Sequence, residues 1–172
     1  MKKTNDITQE KLEDVFKAER AHLLRYACYR LGNEDDAKDV LQDTFLKLHT
    51  RIADTDDLQI NNLRSYIFRT LTNICAKWQT LTNRVKTIQL DKRMDVVETS
   101  DHENEVDYRR IVHLLTEIPD EQAEVIRLRI YGDNSFAEVA EILSLPLPTV
   151  KSRFLYGLEK LRKAMKKTIN ND

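Results

Sequence analysis

Three glycines and three prolines are all that punctuate 172 residues. Sheet proteins reverse the chain about every 8–12 residues, and their turns draw on glycine and proline. A chain this poor in both cannot close many hairpins, so the expected fold class is all-α. Hydrophobic residues at 41% and charged residues at 33% supply a core and a solvated surface.

Apolar periodicity places the helices. Residues 11–31 carry a stripe of Leu12, Val15, Phe16, Leu23, Leu24 and Ala27, ended by Gly32-Asn33. Residues 34–50 open on acids, where the helix dipole favours them, and continue through Ala37, Val40, Leu41, Thr44, Phe45 and Leu48. A polar loop over 55–59 precedes a helix over 62–82. Between 91 and 107 the period is lost. Asp91, Asp95, Glu98, Asp101, Glu103, Glu105 and Asp107 stand there against Lys92 and Arg93, the composition of a flexible acidic linker. Periodicity returns over 106–117, over 119–131 (opened by Pro119 and stopped by Gly132), over 135–143 and over 148–168. Two small helical domains follow, 11–84 and 106–168, joined by a linker over 85–105.

A formal net charge of −1 hides a segregated distribution. Residues 61–90 hold no acid but carry Arg64, Arg69, Lys77, Arg84 and Lys86, and the tail beyond Lys151 is strongly basic. Two basic segments in a near-neutral chain point to local anion-binding surfaces, or to solvated helix faces. Cys28 and Cys75 sit in apolar helical patterns as reduced thiols, and no cysteine–histidine spacing suits a metal. No segment approaches the roughly 18 apolar residues of a membrane span, and no leader-like apolar stretch opens the chain, so a cytoplasmic location is expected. Glycine-rich phosphate loops and nucleophile–base arrangements are missing, which argues against an enzyme.

The pair 135–143 and 148–168 is the most specific feature. Ser135 is a helix N-cap, and Glu138 three residues on completes a capping box. Phe136, Val139, Ala140 and Leu143 form one apolar face; Val150, Phe154, Leu158 and Leu161 form another. The connection Ser144-Leu145-Pro146-Leu147 is so short that the helices must cross steeply and pack on a third, as in a helix-turn-helix. At about 100° per residue, a helix burying Val150 and Phe154 turns Thr149, Ser152, Leu155 and Tyr156 outward, flanked by Lys151 and Arg153. Such a face suits a major groove: Lys151 and Ser152 reach base edges or phosphates, and Leu155 meets thymine methyls. The basic run from Lys160 to Lys167 grips backbone without reading sequence. An ordinary helical hairpin would present the same face to water.

At these residues the chain resembles domain 4 of bacterial sigma factors. Ile118-Pro119-Asp120-Glu121-Gln122 with Val125-Ile126-Arg127-Leu128-Arg129 resembles its opening helix. Ser135 to Leu143 and Thr149-Val150-Lys151-Ser152-Arg153 resemble its helix-turn-helix, with Ser144-Leu145-Pro146-Leu147-Pro148 in place of a Gly-Ile-Ser-like turn and Tyr156-Gly157 where another basic residue is common. Asp36 to Leu48 resembles the family's polymerase-binding helix in domain 2, and Leu63-Arg64-Ser65-Tyr66-Ile67-Phe68-Arg69 with Asn73 resembles its promoter-opening helix. Two domains in this order with a short linker resemble the extracytoplasmic-function (ECF) group.

The resemblance implies a promoter-specificity subunit without cofactor or metal. Asp39, Gln42 and Asp43, on one helix face, would meet the clamp helices of the polymerase β′ subunit, and domain 4 the β flap. Arg64, Arg69 and Lys77 would hold −10 phosphates, Asn73 a displaced base, and Tyr66, Phe68 and Trp78 unstacked bases, unless these rings pack in the core. Thr149, Lys151, Ser152, Arg153, Leu155 and Tyr156 would read the −35 element. An anti-sigma factor is implied as a partner, and a monomer is expected when free. Two other readings stay open at this point: a stand-alone helix-turn-helix regulator, and an interaction protein using the motif as scaffold.

Overall fold

The structure, a computed structural model, describes residues 9–55, 59–88 and 102–171, and every regular element among them is helical. The first three helices are α1 (Gln9–Leu31), α2 (Glu34–Asp54) and α3 (Leu63–Ile88). Gly32 takes a left-handed φ of 73° to end α1, and the Asn33 side chain accepts the Asp36 N–H at 2.9 Å to cap α2. Leu12, Leu23 and Tyr26 of α1, Val40, Leu41 and Leu48 of α2, and Ile67, Phe68 and Leu71 of α3 bury their side chains together.

The second group holds α4 (His102–Thr116), α5 (Asp120–Ile126), a π-helical turn over Arg127–Tyr131, α6 (Phe136–Leu143) and α7 (Leu147–Asn170). Leu115, Ile118, Ala123 and Ile126 form a small core of their own. Gly157 explains a departure noted in the sequence. A Cβ there would come within 2.9 Å of Ile126 Cδ1 and 3.1 Å of Gln122 Cβ, so a larger residue would require these α5 side chains to shift.

The two groups share one apolar core. Val125, Leu128, Val139, Ile142 and Val150 are continuous with the buried residues of α1–α3. Tyr29 of α1 stacks on Tyr131, ring centroids 3.5 Å apart, while Tyr108 of α4 meets Tyr29 edge-on. The Tyr108 hydroxyl donates to the Cys28 carbonyl at 2.6 Å.

Several expectations need adjustment. α3 continues to Ile88 and α4 begins at His102, so both ends of the expected 85–105 linker are helical. Glu105 lies inside α4, where Arg109 one turn later pairs with it at 3.1 Å. Glu103 and Asp107 also fall within α4, and the part of the acidic run from Asp91 to Asp101 lies outside the described residues. The helix expected to stop at Gly132 does end at Tyr131, with Gly132 as its C-cap at φ −79°, and Asp133 takes the positive φ of 54°. Phe68 is fully buried, so it packs in the core and is closed to bases.

Candidate nucleic-acid interface

The helix-turn-helix is assembled by short-range bonds. Ser135 Oγ accepts the Glu138 N–H at 3.1 Å, and the Glu138 carboxylate accepts the Ser135 N–H at 2.8 Å, the capping box read from the sequence. Ser144 closes α6 in the left-handed conformation, φ 53°, and the Leu145 N–H reaches back to the Ala140 carbonyl at 2.9 Å. Leu145 then packs against the core beside Phe136, Ala140, Leu143 and Phe154. Phe136 and Phe154 meet edge-on, centroids 5.1 Å apart, which fixes the crossing of α6 and α7.

Burial of Val150 leaves Lys151, Ser152, Leu155 and Tyr156 exposed on one flank of α7. Thr149 is half-buried. Arg153 turns back toward α5 and pairs with Glu121 at 3.4 Å. The six residues expected to read DNA therefore divide into an exposed set of four and a set of two drawn toward the protein.

On α3, Arg69, Asn73 and Lys77 are exposed and lie at successive four-residue steps, so they share one face. Tyr66 is half-buried with the Arg51 guanidinium 5.7 Å from its ring centre. Trp78 is half-buried against the core of α1–α3. The side-chain polar atoms of Ser65, Tyr66 and Trp78 are buried without a hydrogen-bond partner among the described residues. Ser65 and Tyr66 line a polar cavity of about 310 Å³ with Arg51, Asn62, Arg69 and Glu141. Two arginines of α3 reach the second half: Arg69 donates to Ser144 Oγ at 2.8 Å, and the Arg64 guanidinium is turned onto the loop ahead of α6, where it bonds Asn134 Oδ1 and the Gly132 and Asp133 carbonyls.

On α2, Asp39, Gln42 and Asp43 are all exposed. Gln42 lines a groove of about 550 Å³ between α1 and α2, floored by Phe16, Leu41 and Phe45 and edged by Lys17, Arg20 and Lys38. Leu46, 54% exposed, extends the apolar character beyond it.

One feature escaped sequence reasoning altogether. Glu124, which reads as a solvent residue of α5, is 8% exposed. Its carboxylate accepts from the Tyr26 hydroxyl and the Arg30 guanidinium of α1, and from Arg127 at 3.4 Å. Burial, then the negative charge of Glu124, push the Tyr26 phenol well above its ordinary value. No local signal announces this cluster, because Tyr26 and Arg30 stand 98 and 94 positions from Glu124.

Comparison with known proteins places these surfaces in a family context. The family described as "Sigma-70 region 2" matches residues 15–83, and "Sigma-70, region 4" matches residues 114–163. The chain is 28% identical to the ECF RNA polymerase sigma factor SigW of Bacillus subtilis (strain 168), with 81% of each chain covered. It is 23% identical to the RNA polymerase sigma factor YlaC of the same organism, covering 93% of this chain and 95% of that one. Two solved structures share its fold. One is CnrH in complex with the cytosolic domain of CnrY, with a TM-score of 0.68, 21% identity, and 93% of this chain and 90% of that one covered. The other is the sigma factor RpoE in complex with the anti-sigma factor NepR from Bartonella quintana, with a TM-score of 0.65, 22% identity, and 92% and 96% covered.

Proposed function

The chain belongs to the sigma-70 family, in its ECF group, and from that premise we propose that it binds core RNA polymerase through α2 and carries it to promoters through α3 and the helix-turn-helix. The observation that carries this reading is the presence of regions 2 and 4 in order on one chain, each bearing an exposed polar surface of the right chemistry. Arg69, Asn73 and Lys77 offer donors along α3 for the −10 strand, beside a polar cavity lined by Arg51, Asn62 and Arg69. Lys151, Ser152, Leu155 and Tyr156 offer a mixed polar and apolar face for the −35 major groove. Asp39, Gln42 and Asp43 offer acid and amide groups beside an apolar groove for the β′ clamp helices, and domain 4 meets the β flap. The chain acts as an initiation factor rather than a catalyst, in the cytoplasm with the polymerase. An anti-sigma factor holds it in reserve, as the NepR complex of RpoE suggests by analogy.

A pull-down with purified core polymerase tests this, comparing the wild type with Asp39→Arg/Asp43→Arg. Capture of the wild type and loss of the variant are expected. Equal capture of both would move the docking face elsewhere. Capture of neither, with folding verified by circular dichroism, would leave a DNA-binding regulator that works without polymerase.

A further inference from the structure

A polar cavity of about 310 Å³ lies among α1, α3, α4 and the π-helical turn, apart from the exposed faces of α2, α3 and α7 assigned above. Arg30, Gln79, Thr116 and Arg127 line it, together with Asp120, which is exposed. Gln79 sits about 120° around α3 from Asn73, so the cavity is not on the helix face that carries Arg69, Asn73 and Lys77.

The wall of this cavity carries a charge imbalance. Arg30 is fixed by Gln79, whose amide oxygen accepts its Nε–H at 2.8 Å and whose amide nitrogen donates to its carbonyl at 2.9 Å. The Arg30 guanidinium pairs with Glu124 Oε2. Arg127 shares that oxygen at 3.4 Å, and the Tyr26 hydroxyl takes the other. The Arg127 side chain is only 7% exposed, and its Nε is buried without a hydrogen-bond partner among the described residues. Two guanidinium groups therefore divide one carboxylate. No other carboxylate among the described residues comes within ion-pair distance of either. Asp120 lines the cavity without reaching them, and water screens its exposed charge. A buried guanidinium with so few bonds is costly. An oxyanion is the group whose charge and oxygen spacing match a guanidinium edge.

We propose that this cavity binds a small molecule through a carboxylate or phosphate group, with Arg127 as its principal cation and Arg30 as the second. The 3.4 Å contact of Arg127 is the longest of the three on Glu124, so Arg127 is the cation free to turn its fork toward an incoming anion. Leu31 and Val112 supply apolar wall, which suits a ligand with a short carbon body beside its anionic group. The site needs neither DNA nor polymerase, so it stands independently of the promoter reading.

An NMR titration of the ¹⁵N-labelled full chain tests it, with sodium phosphate and sodium acetate as separate arms at constant ionic strength. Saturable shifts of the Gln79, Thr116 and Arg127 backbone amides are expected in at least one arm, with a Kd of about 5 mM or tighter. Saturation by phosphate alone would support the site and identify a phosphoryl ligand; saturation by acetate alone would support it and identify a carboxylate. Arg127→Gln is expected to weaken the binding at least tenfold. If that variant unfolds by circular dichroism, Thr116→Trp, which fills the cavity from the exposed end of α4 and leaves Glu124 and its partners in place, is read in the same way. Shifts that grow linearly to about 50 mM in both arms would overturn the site. So would saturation with wild-type affinity in the folded variant.

Discussion

Tyr26 in α1 donates its hydroxyl to the carboxylate of Glu124 in α5, joining buried residues 98 positions apart in the chain. An isolated carboxylate at this depth would be costly. Here Arg30 and Arg127 supply compensating charge, so the cluster is tolerated and specifies where the second half of the chain docks. Glu124→Ala strands two guanidinium groups, and a loss of about 3–5 kcal/mol is expected. Tyr26→Phe removes one charge-assisted bond and should cost about 1.5–3 kcal/mol. Urea unfolding measures both; a Glu124→Ala loss below about 1 kcal/mol would show that the buried cluster does not hold the halves together.

Gly132 is required for close approach rather than for a left-handed turn. A Cβ there would lie 2.7 Å from the Leu128 carbonyl oxygen and 3.1 Å from Phe68. Gly132→Ala should therefore destabilise the chain by about 1–3 kcal/mol through forced displacement of packed groups. Ser135→Ala, which removes the α6 cap, should cost about 1 kcal/mol. Thermal unfolding of the two variants gives the order: a Gly132→Ala protein as stable as the wild type would mean that the loop relaxes freely.

Lys151 is exposed near the start of α7, whereas Arg153 is tied to Glu121. Lys151→Ala should weaken duplex binding and lower the slope of log K against log salt by about 0.9, the value for one phosphate contact. Arg153→Ala should change that slope by less. Fluorescence anisotropy across a salt series separates the two, and equal slope changes would assign Arg153 to the DNA after all.

Burial pushes the Cys75 thiol up to about 12, against the lowering effect of Arg30, and the Cys28 thiol up to about 11. Both thiols should resist an aromatic disulfide reagent at pH 8 in the folded protein and react at once in denaturant. The stability linked to these groups is constant while folded and unfolded thiols are both protonated, below an ordinary thiol value of about 8.5. As pH rises further the unfolded chain ionises first, so stability falls toward the folded-state values. Urea midpoints at pH 8 and pH 10 give the sign; a higher midpoint at pH 10 would contradict it.

Locally encoded features were legible in the residues. The Ser135–Glu138 capping box, the Gly32 stop, the acidic start of α2 and the stripe Val150–Phe154 depend on groups within a few positions of one another. The turn after α6 was only partly legible. Its short length was plain, but a left-handed Ser144 breaks the preference for glycine, and the Leu145 N–H bond to Ala140 together with the packing of Leu145 accompanies that choice. Trp78 and Tyr66 could not be assigned between core and surface, because an aromatic side chain suits either and only its neighbours decide.

What the residues alone determined is the set of helices, their caps, the helix-turn-helix and the family to which both halves point. The tertiary structure decided which faces meet. Periodicity states that a helix has an apolar stripe, but a stripe carries no address for its partner. The partners of Glu124, of Arg64 and of Arg69 are set by the docking of one half on the other, across 94 positions for Arg30–Glu124, 70 for Arg64–Asn134 and 75 for Arg69–Ser144. Long-range pairing of this kind follows from the shape and charge of whole surfaces, which exist only once the chain has folded.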